Sequence, residues 1–396
     1  MASKRKRGRI QTYLFSYDMN LIVAVFFLII FGLIMIYSAS YYTAGMSKAY
    51  NYDPTFLLKS QAKYSVLGLA VMLIVANIDY HNWRYFAMLG LIGSALLILL
   101  LLVPGLGVKV KGATRWLQIA GIQFQVAEPV KVAMIVFSAA LICKYANSLS
   151  DLKVFLRVMA PVAVISVMIL KISNNMSTAA IVLGISFMMV FMVHPRYYPF
   201  VILAILGIVL AAGVIYYTLN FADPDSESGF RLGRIQAWLM PYAEQFESDK
   251  AYQSLQGIYA IGSGGLMGKG LGNSIQKLGR IPEPFNDMIF TIICEELGIF
   301  GAGLVILLFI YLLYRLYSIA QTAEDLFGRL LVVGVFAHVA LQVVLNLMVV
   351  TRLCPTTGVT LPFFSAGGTA SVFLLIEIGM VLNVEKWGRF KREDIK

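Results

Sequence analysis

The sequence predicts an all-α polytopic membrane protein with about ten transmembrane helices and a large outer loop between spans seven and eight. Composition and patterning both point there. Of 396 residues, 59% are hydrophobic and 13% are charged, whereas a soluble domain carries about 25% charged residues. Mean hydropathy is +0.78, and the apolar residues gather into runs close to the roughly 20 that a bilayer crossing needs.

Taken in order, the spans are expected at about 20–39, 62–79, 86–103, 128–145, 157–173, 177–194, 198–218, 287–313, 328–350 and 367–384. Both chain ends are basic, over residues 4–9 and 386–396. An even number of spans puts both ends on one side, and the positive-inside rule makes that side cytoplasmic. The expected organisation is a basic tail over 1–19, a transmembrane unit over 20–384 containing the outer loop 219–286, and a basic tail over 385–396. Short inside loops around Arg84, Lys153 and Arg196 agree with this topology, and the outer loop 109–115 runs against it. The net charge of +11 is concentrated at the tails, where it serves topology and anionic-lipid contact rather than nucleic acid. The first apolar run lacks a small-residue cleavage site and reads as a retained span. Cys143, Cys294 and Cys354 form no metal-ligand spacing, and an odd count gives no disulfide framework. There is no internal repeat and no pair of interrupted helices of the kind that marks many transporters.

Four stretches at the expected outer face carry the polar chemistry. Residues 111–131 read as a turn-rich loop and then a helix entered by Glu128-Pro129, proline suiting the first helical position. Glu128 and Lys131 are three apart and share a helix face. In the long loop, Arg231 and Arg234 share a face of an amphipathic stretch, 231–240, expected to lie in the outer interface. The glycine-rich GSGGLMGKG that follows fails as a phosphate loop, since Ser263 occupies the first glycine position and Gly270 the Ser/Thr position. It reads as a flexible connector. The third stretch, RIPEPFNDMIFTIICEELGIFG, places Asp287 where span eight begins, with Glu295 and Glu296 about two turns deeper. Intramembrane carboxylates are costly and mark function by default. Adjacent glutamates point about 100° apart, so both cannot share a face with Asp287. At least one is expected to be a buried structural partner, with Lys131 as a candidate cation. The fourth stretch, 351–371, is broken by Pro355 and Pro362 and opens the last span with Gly367-Gly368. Spans four, eight and ten would start together at the outer face. Their N-termini, with Arg115, Arg231, Arg234 and Arg352, would then surround an anion.

Together these stretches resemble the SEDS family (shape, elongation, division and sporulation), the FtsW/RodA/SpoVE membrane proteins. GATRWLQIAGIQFQVAEPVK resembles the family's GxxRW…FQPSExxK, and RLGRIQAWLMP its RxxRxxxxxxP. The IGSGGLMGKGLGNSIQKLGRIPEPFNDMIF…EELGIFG run resembles its most distinctive block, and PTTGVTLPFFSAGGTAS its closing motif. The sequence departs from the pattern in places. Val126 and Ala127 replace Pro-Ser before Glu128, Phe285-Asn286-Asp287-Met288 replaces His-Thr-Asp-Phe, and Asn175 stands where many members have aspartate. The closing motif leans towards the division, FtsW-like branch, with elongation and sporulation left open.

The resemblance implies a peptidoglycan glycosyltransferase that polymerises lipid II, a disaccharide-pentapeptide on undecaprenyl diphosphate, at the outer face of the bacterial cytoplasmic membrane. It implies Asp287 as general base on the acceptor 4-hydroxyl, held ionised by Lys131. It carries substrate binding to Arg115, Glu128, Lys131, Arg231, Arg234, Lys277, Arg352, Ser365, Gly367 and Gly368, and leaves Glu295 and Glu296 as pairing residues. It implies no dedicated metal ligands, though a divalent cation (Mg2+ or Mn2+) would assist the leaving group. The partners implied are a class B penicillin-binding protein and other division-machinery proteins at the septum. Two other functions fit the same residues. One is a lipid II flippase, for which buried Glu295, Glu296, Lys131 and His338 speak. The other is a non-catalytic scaffold for the transpeptidase.

Overall fold

The computed structural model describes residues 17–110, 113–119, 121–221, 229–240 and 251–395. In chain order these form α1 (Met19–Met46), α2 (Phe56–Val75), α3 (Trp83–Leu100), β1 (Gly107–Val110), β2 (Ala113–Ile119), β3 (Ile122–Gln125), α4 (Ala127–Tyr145), α5 (Leu152–Ile172) and α6 (Met176–Val193). They continue with α7 (Tyr198–Phe221), α8 (Gly229–Leu239), α9 (Tyr252–Gly264), α10 (Ile289–Thr322), α11 (Leu326–Val350) and α12 (Gly368–Ile395). Among the described residues, all helices except α8 and α9 are long and apolar enough to cross a membrane, 10 in all, and they match the expected spans one for one. Short polar residues start them where the apolar runs begin. Asp18 accepts from Leu21 N, Asp151 from Lys153 N, Asn175 from Thr178 N and Asp325 from Gly328 N, each filling an orphan donor of a first turn.

Burial grades across the bundle. The apolar stretches of α11 and α12 are 67% buried and that of α7 only 6%. At one end, Asp18 pairs with Arg315 of α10 and lies 3.7 Å from Arg389 of α12. Tyr80 OH donates to Asp325 at 2.8 Å, and Asn383 Nδ2 to Ala76 O at 2.8 Å. The start of α1 and the close of α12 therefore share this end. The sheet and the starts of α4, α10 and α12 occupy the other.

The structure corrects the expected boundaries. Helices α1, α10 and α12 run well past the apolar runs, because polar residues at a span's end still complete helical hydrogen bonds. In the expected C-terminal tail, Glu385 and Lys386 are buried, and Lys386 Nζ donates to Asn77 at 3.0 Å. The stretch before α4 is an antiparallel sheet of order β1-β2-β3 rather than a turn-rich loop. Trp116 pairs with Val108 and Gln125, and Leu117 with Gly107 and Phe124. The glycine-rich connector is ordered too. Gly264 lets α9 meet α10 so closely that an added Cβ would lie 1.9 Å from Cys294 O.

Beyond it, residues 265–280 fold into a break in α10, where Gly298 adopts φ 64°, ψ −161°. The break leaves carbonyls without helical donors. Lys269 N and Gly270 N supply them, to Glu295 O at 3.0 Å and Glu296 O at 2.9 Å. The side chains lock the same contact. Glu295 takes Lys269 Nζ at 2.7 Å and Ile275 N at 3.1 Å. Glu296 takes Lys277 Nζ at 2.6 Å and the Ser38 hydroxyl. Both glutamates are 0% exposed and Lys277 is 4%. Two expectations fall here. Lys131 is not the partner of either glutamate, and Lys277 is consumed by Glu296 rather than offered to a substrate.

Removing one partner of a buried pair strands the other charge. Glu296→Ala is expected to cost about 3–5 kcal/mol, read as a lowered unfolding midpoint of the purified protein. The double change Lys277→Met with Glu296→Leu is expected to recover most of it.

Candidate active site

The site assembles at the sheet end from four pieces of chain. Strand alternation puts Arg115 on the face of β2 that also carries buried Ala113 and Leu117. Arg115 therefore reaches down onto the α5–α6 turn, where Nε donates to Ser173 O at 3.4 Å and Nη2 to Asn174 O at 3.1 Å. That turn is closed by Asn175, which caps α6. Its role here is local, and an uncharged amide serves it.

Loop 351–367, between α11 and α12, is the second piece and the hub. Its carbonyls receive side chains from around the mouth: Thr356 O from Arg234 Nη1 at 3.3 Å, Thr357 O from Ser177 at 3.2 Å, and Val359 O from Asn346 at 2.7 Å. The third piece, α8, lies across it. Trp238 Nε1 donates to Arg352 O at 2.7 Å, and Arg352 Nη2 returns a bond to Trp238 O at 2.9 Å. Helix α8 is thus present where expected, but fastened to the bundle rather than free in an interface. The expected contacts of Arg231 lie outside the described side chains.

The fourth piece carries Asp287. Its backbone is pinned on three sides: Asn346 Nδ2 donates to Asp287 O at 2.8 Å, the Ser365 hydroxyl to Asn286 O at 2.7 Å, and Ala366 N to Phe285 O at 2.9 Å. The carboxylate itself is half-buried. Gln253 Nε2 stands 3.5 Å from Oδ1, and Gly358 leaves space open beside Oδ2, where a Cβ would lie 3.9 Å away.

Arg234 lies within electrostatic reach of both Asp287 and Arg115. Burial lowers both guanidinium pKa values. For Arg115 the charge of Arg234 adds to that, and for Arg234 the Asp287 carboxylate opposes it. Both stay charged at physiological pH. Two repelling, half-desolvated guanidiniums, one of them within reach of a carboxylate, are an arrangement that a bound anion relieves.

The remaining expected residues take other places. Lys131 pairs with Glu128 at 2.9 Å and reaches Gln342 at 3.4 Å, so the cation acting on Asp287 is Arg234 rather than Lys131. Arg352 and Ser365 hold backbone carbonyls. Gly367 borders a small cavity with Glu128, and Gly368 fits against the Tyr64 ring, where a Cβ would lie 2.3 Å from it. Sequence reasoning missed Asn346, Gln342 and Gln253. The first two had a signal: with His338 they recur every four residues on an apolar span, a polar stripe on one helix face.

The FtsW/RodA/SpoVE family, described as "Cell cycle protein", matches residues 19–389. The chain belongs to this family. Among relatives of this FtsW/RodA/SpoVE protein, stage V sporulation protein E of Bacillus subtilis is 34% identical over 379 residues, covering 95% of this chain and 98% of that one. A probable peptidoglycan glycosyltransferase FtsW of Trichlorobacter lovleyi is 36% identical over 370 residues, 93% of each chain. Two solved structures share the fold. A chain from a peptidoglycan synthase complex that coordinates polymerization and crosslinking has TM-score 0.74 at 24% identity, covering 94% of this chain and 99% of that one. Rod shape determining protein RodA of Thermus thermophilus has TM-score 0.63 at 24% identity, covering 94% and 97%.

The reciprocal bonds between Trp238 and Arg352 make α8 part of the site wall. Trp238→Phe together with Arg352→Ala is expected to raise hydrogen exchange in residues 229–240 selectively, leaving α10 and α11 protected.

Proposed function

We propose that the protein is a peptidoglycan glycosyltransferase that polymerises lipid II, with Asp287 as general base. The observation that carries this reading is a half-buried carboxylate, Asp287, within electrostatic reach of Arg234, which in turn faces the half-buried guanidinium of Arg115, at one end of a membrane-spanning bundle. The relatives named as probable peptidoglycan glycosyltransferases support it.

The basic chain ends argue for a cytoplasmic position of both termini, which turns Asp287 outward. Nucleotides are scarce there, so the donor must bring its own leaving group, and a lipid diphosphate does. In the step we envisage, Asp287 takes the proton of the acceptor sugar 4-hydroxyl as that oxygen bonds to the donor's anomeric carbon. The bond from that carbon to the diphosphate breaks, and the leaving lipid diphosphate carries the electron pair away. Arg115 and Arg234 meet its growing negative charge. Asn346 and Ser365 fix the backbone that aims Asp287.

Among the described residues no group of three or more His, Cys, Asp or Glu side chains is placed to hold a divalent cation. The FtsW names among the relatives favour septal synthesis in division. A class B penicillin-binding protein is the expected partner, supported by the fold neighbour solved within a peptidoglycan synthase complex. Translocation of lipid II would need polar groups through the whole bundle. On α12 the buried residues next after Glu377, namely Ile378, Met380, Val381 and Leu382, are apolar and separate it from the buried Asn383, Glu385 and Lys386 at the other end, which interrupts that path on this helix.

Polymerisation of purified lipid II by the protein with its transpeptidase partner tests the reading. Asp287→Ala is expected to lower the rate by about 10²–10⁴-fold with an unchanged unfolding midpoint. A folded variant that polymerises at the wild-type rate would remove Asp287 from the chemistry. Arg115→Gln and Arg234→Gln are each expected to lower kcat/KM by about 10–150-fold, the equivalent of the about 1.5–3 kcal/mol of a hydrogen bond to a charged group.

A further inference from the structure

Beneath the mouth a line of polar side chains enters the bundle: Glu128 and Lys131 of α4, Gln342 and His338 of α11, and Glu377 of α12. Hydrogen-bond accounting fixes their protons. Gln342 Nε2 donates to Thr360 O at 3.1 Å and to the Thr360 hydroxyl at 3.1 Å. A carbonyl only accepts, so the amide cannot be turned around. Its Oε1 therefore faces His338 Nε2 at 2.8 Å and Lys131 Nζ at 3.4 Å. An amide oxygen also only accepts, so His338 Nε2 carries a hydrogen. His338 Nδ1 then lies 2.7 Å from Glu377 Oε2. With a neutral ring and an ionised carboxylate, two lone pairs would face each other. One proton must lie between them, on the nitrogen or on the oxygen. Either placement leaves the pair without net charge. That suits exposures of 2% and 0% and a Glu377 Oε1 that has no hydrogen-bond partner, since an uncompensated charge there would be costly.

We propose that the His338–Glu377 pair holds a single proton as a positioning device for the active site. With the proton in place, Gln342 is fixed between Lys131 and Thr360. Thr360 adjoins Val359, which shares Asn346 with Asp287, and the same loop carries Ser365. Loss of the proton sets a bare carboxylate against the ring. The ring's bond to Gln342 then has no fixed donor, and the loop that aims Asp287 loses its support from below. A cavity of about 20 Å³ beside His338, Gln342, Thr360 and Ser371 is large enough for one water.

The titratable groups that face the pair are Glu128 and Lys131, which neutralise each other. Helix α6 has no charged residue. Helix α2 presents Gln61, which donates to Ser371 at 2.7 Å. The carboxylates of α10 are held by Lys269 and Lys277, and α9 contributes only tyrosines, Tyr252 and Tyr259.

The activity readout rests on the polymerase reading, so a second readout independent of activity accompanies it. Glu377→Gln gives His338 Nδ1 a permanent N–H donor and copies the proton-loaded pair. At neutral pH Glu377→Gln is expected to polymerise lipid II at close to the wild-type rate, while Glu377→Ala, which leaves His338 Nδ1 without its partner, is expected to lose about tenfold or more. Equal losses in the two variants would overturn the proposal. The second readout is nitrogen NMR of ring-labelled histidine in the wild-type protein at neutral pH, with His338→Asn identifying the signal among the three histidines. A hydrogen on His338 Nε2 is expected. A bare Nε2 overturns the proposal whether or not lipid II is polymerised, and it does so even if Glu377→Gln fails to fold.

Discussion

The ion pairs of Glu295 and Glu296 decide where the chain between α9 and α10 runs. Two carboxylates in the apolar middle of a bundle must be met by cations and donors, because water is absent there. Lys269, Ser274 and Lys277 meet them, and all three belong to the segment that precedes Asp287. Satisfying the glutamates therefore drags that segment into the break at Gly298. The chain then has only residues 281–288 in which to climb back to the start of α10. Asp287 is placed by this short return, with Asn346 and Ser365 taking up what freedom remains.

The site end works through backbone carbonyls more than through side-chain pairs. Loop 351–367 offers its C=O groups to α6, α8 and α11. A loop bound this way keeps one shape while its own side chains stay available for other work. It also explains why expected ligands such as Arg352 and Ser365 turn out to be fasteners. Among the described side chains Arg234 acts on the carboxylate and Arg115 on Arg234, each bound to carbonyls that orient the guanidinium without cancelling its charge.

Hydropathy and length were enough to find all ten spans, because each span buries or exposes an unbroken apolar run. The three-stranded sheet was harder. The alternation in VKVKGATRWLQIAGIQFQ is visible in the sequence, but it lies between membrane spans, where glycine and charge suggest turns. Helix α9 was hidden by its glycines, whose helical penalty is overcome by close packing on α10. Asp287 stands out because its carboxylate sits at the very start of an apolar segment. The partner of each buried glutamate does not, since Lys131, Lys269 and Lys277 are equally eligible in one dimension and only the fold at Gly298 separates them. The stripe of His338, Gln342 and Asn346 was legible in spacing, but its hydrogen-bond directions depend on Thr360, eighteen residues beyond Gln342.

Asp18 at the head of α1 lies 3.7 Å from Arg389 of α12, so the first and last described helices meet at one contact. Topologically the bundle is a ring with a single cut. A tether joining the two ends would let that cut be moved to any turn on the same side, such as the one between α10 and α11. The helices would keep their neighbours while their order of synthesis changed. Circularly permuted versions of this protein are thus compatible with its architecture, and they would separate what the fold requires from what the order of membrane insertion requires.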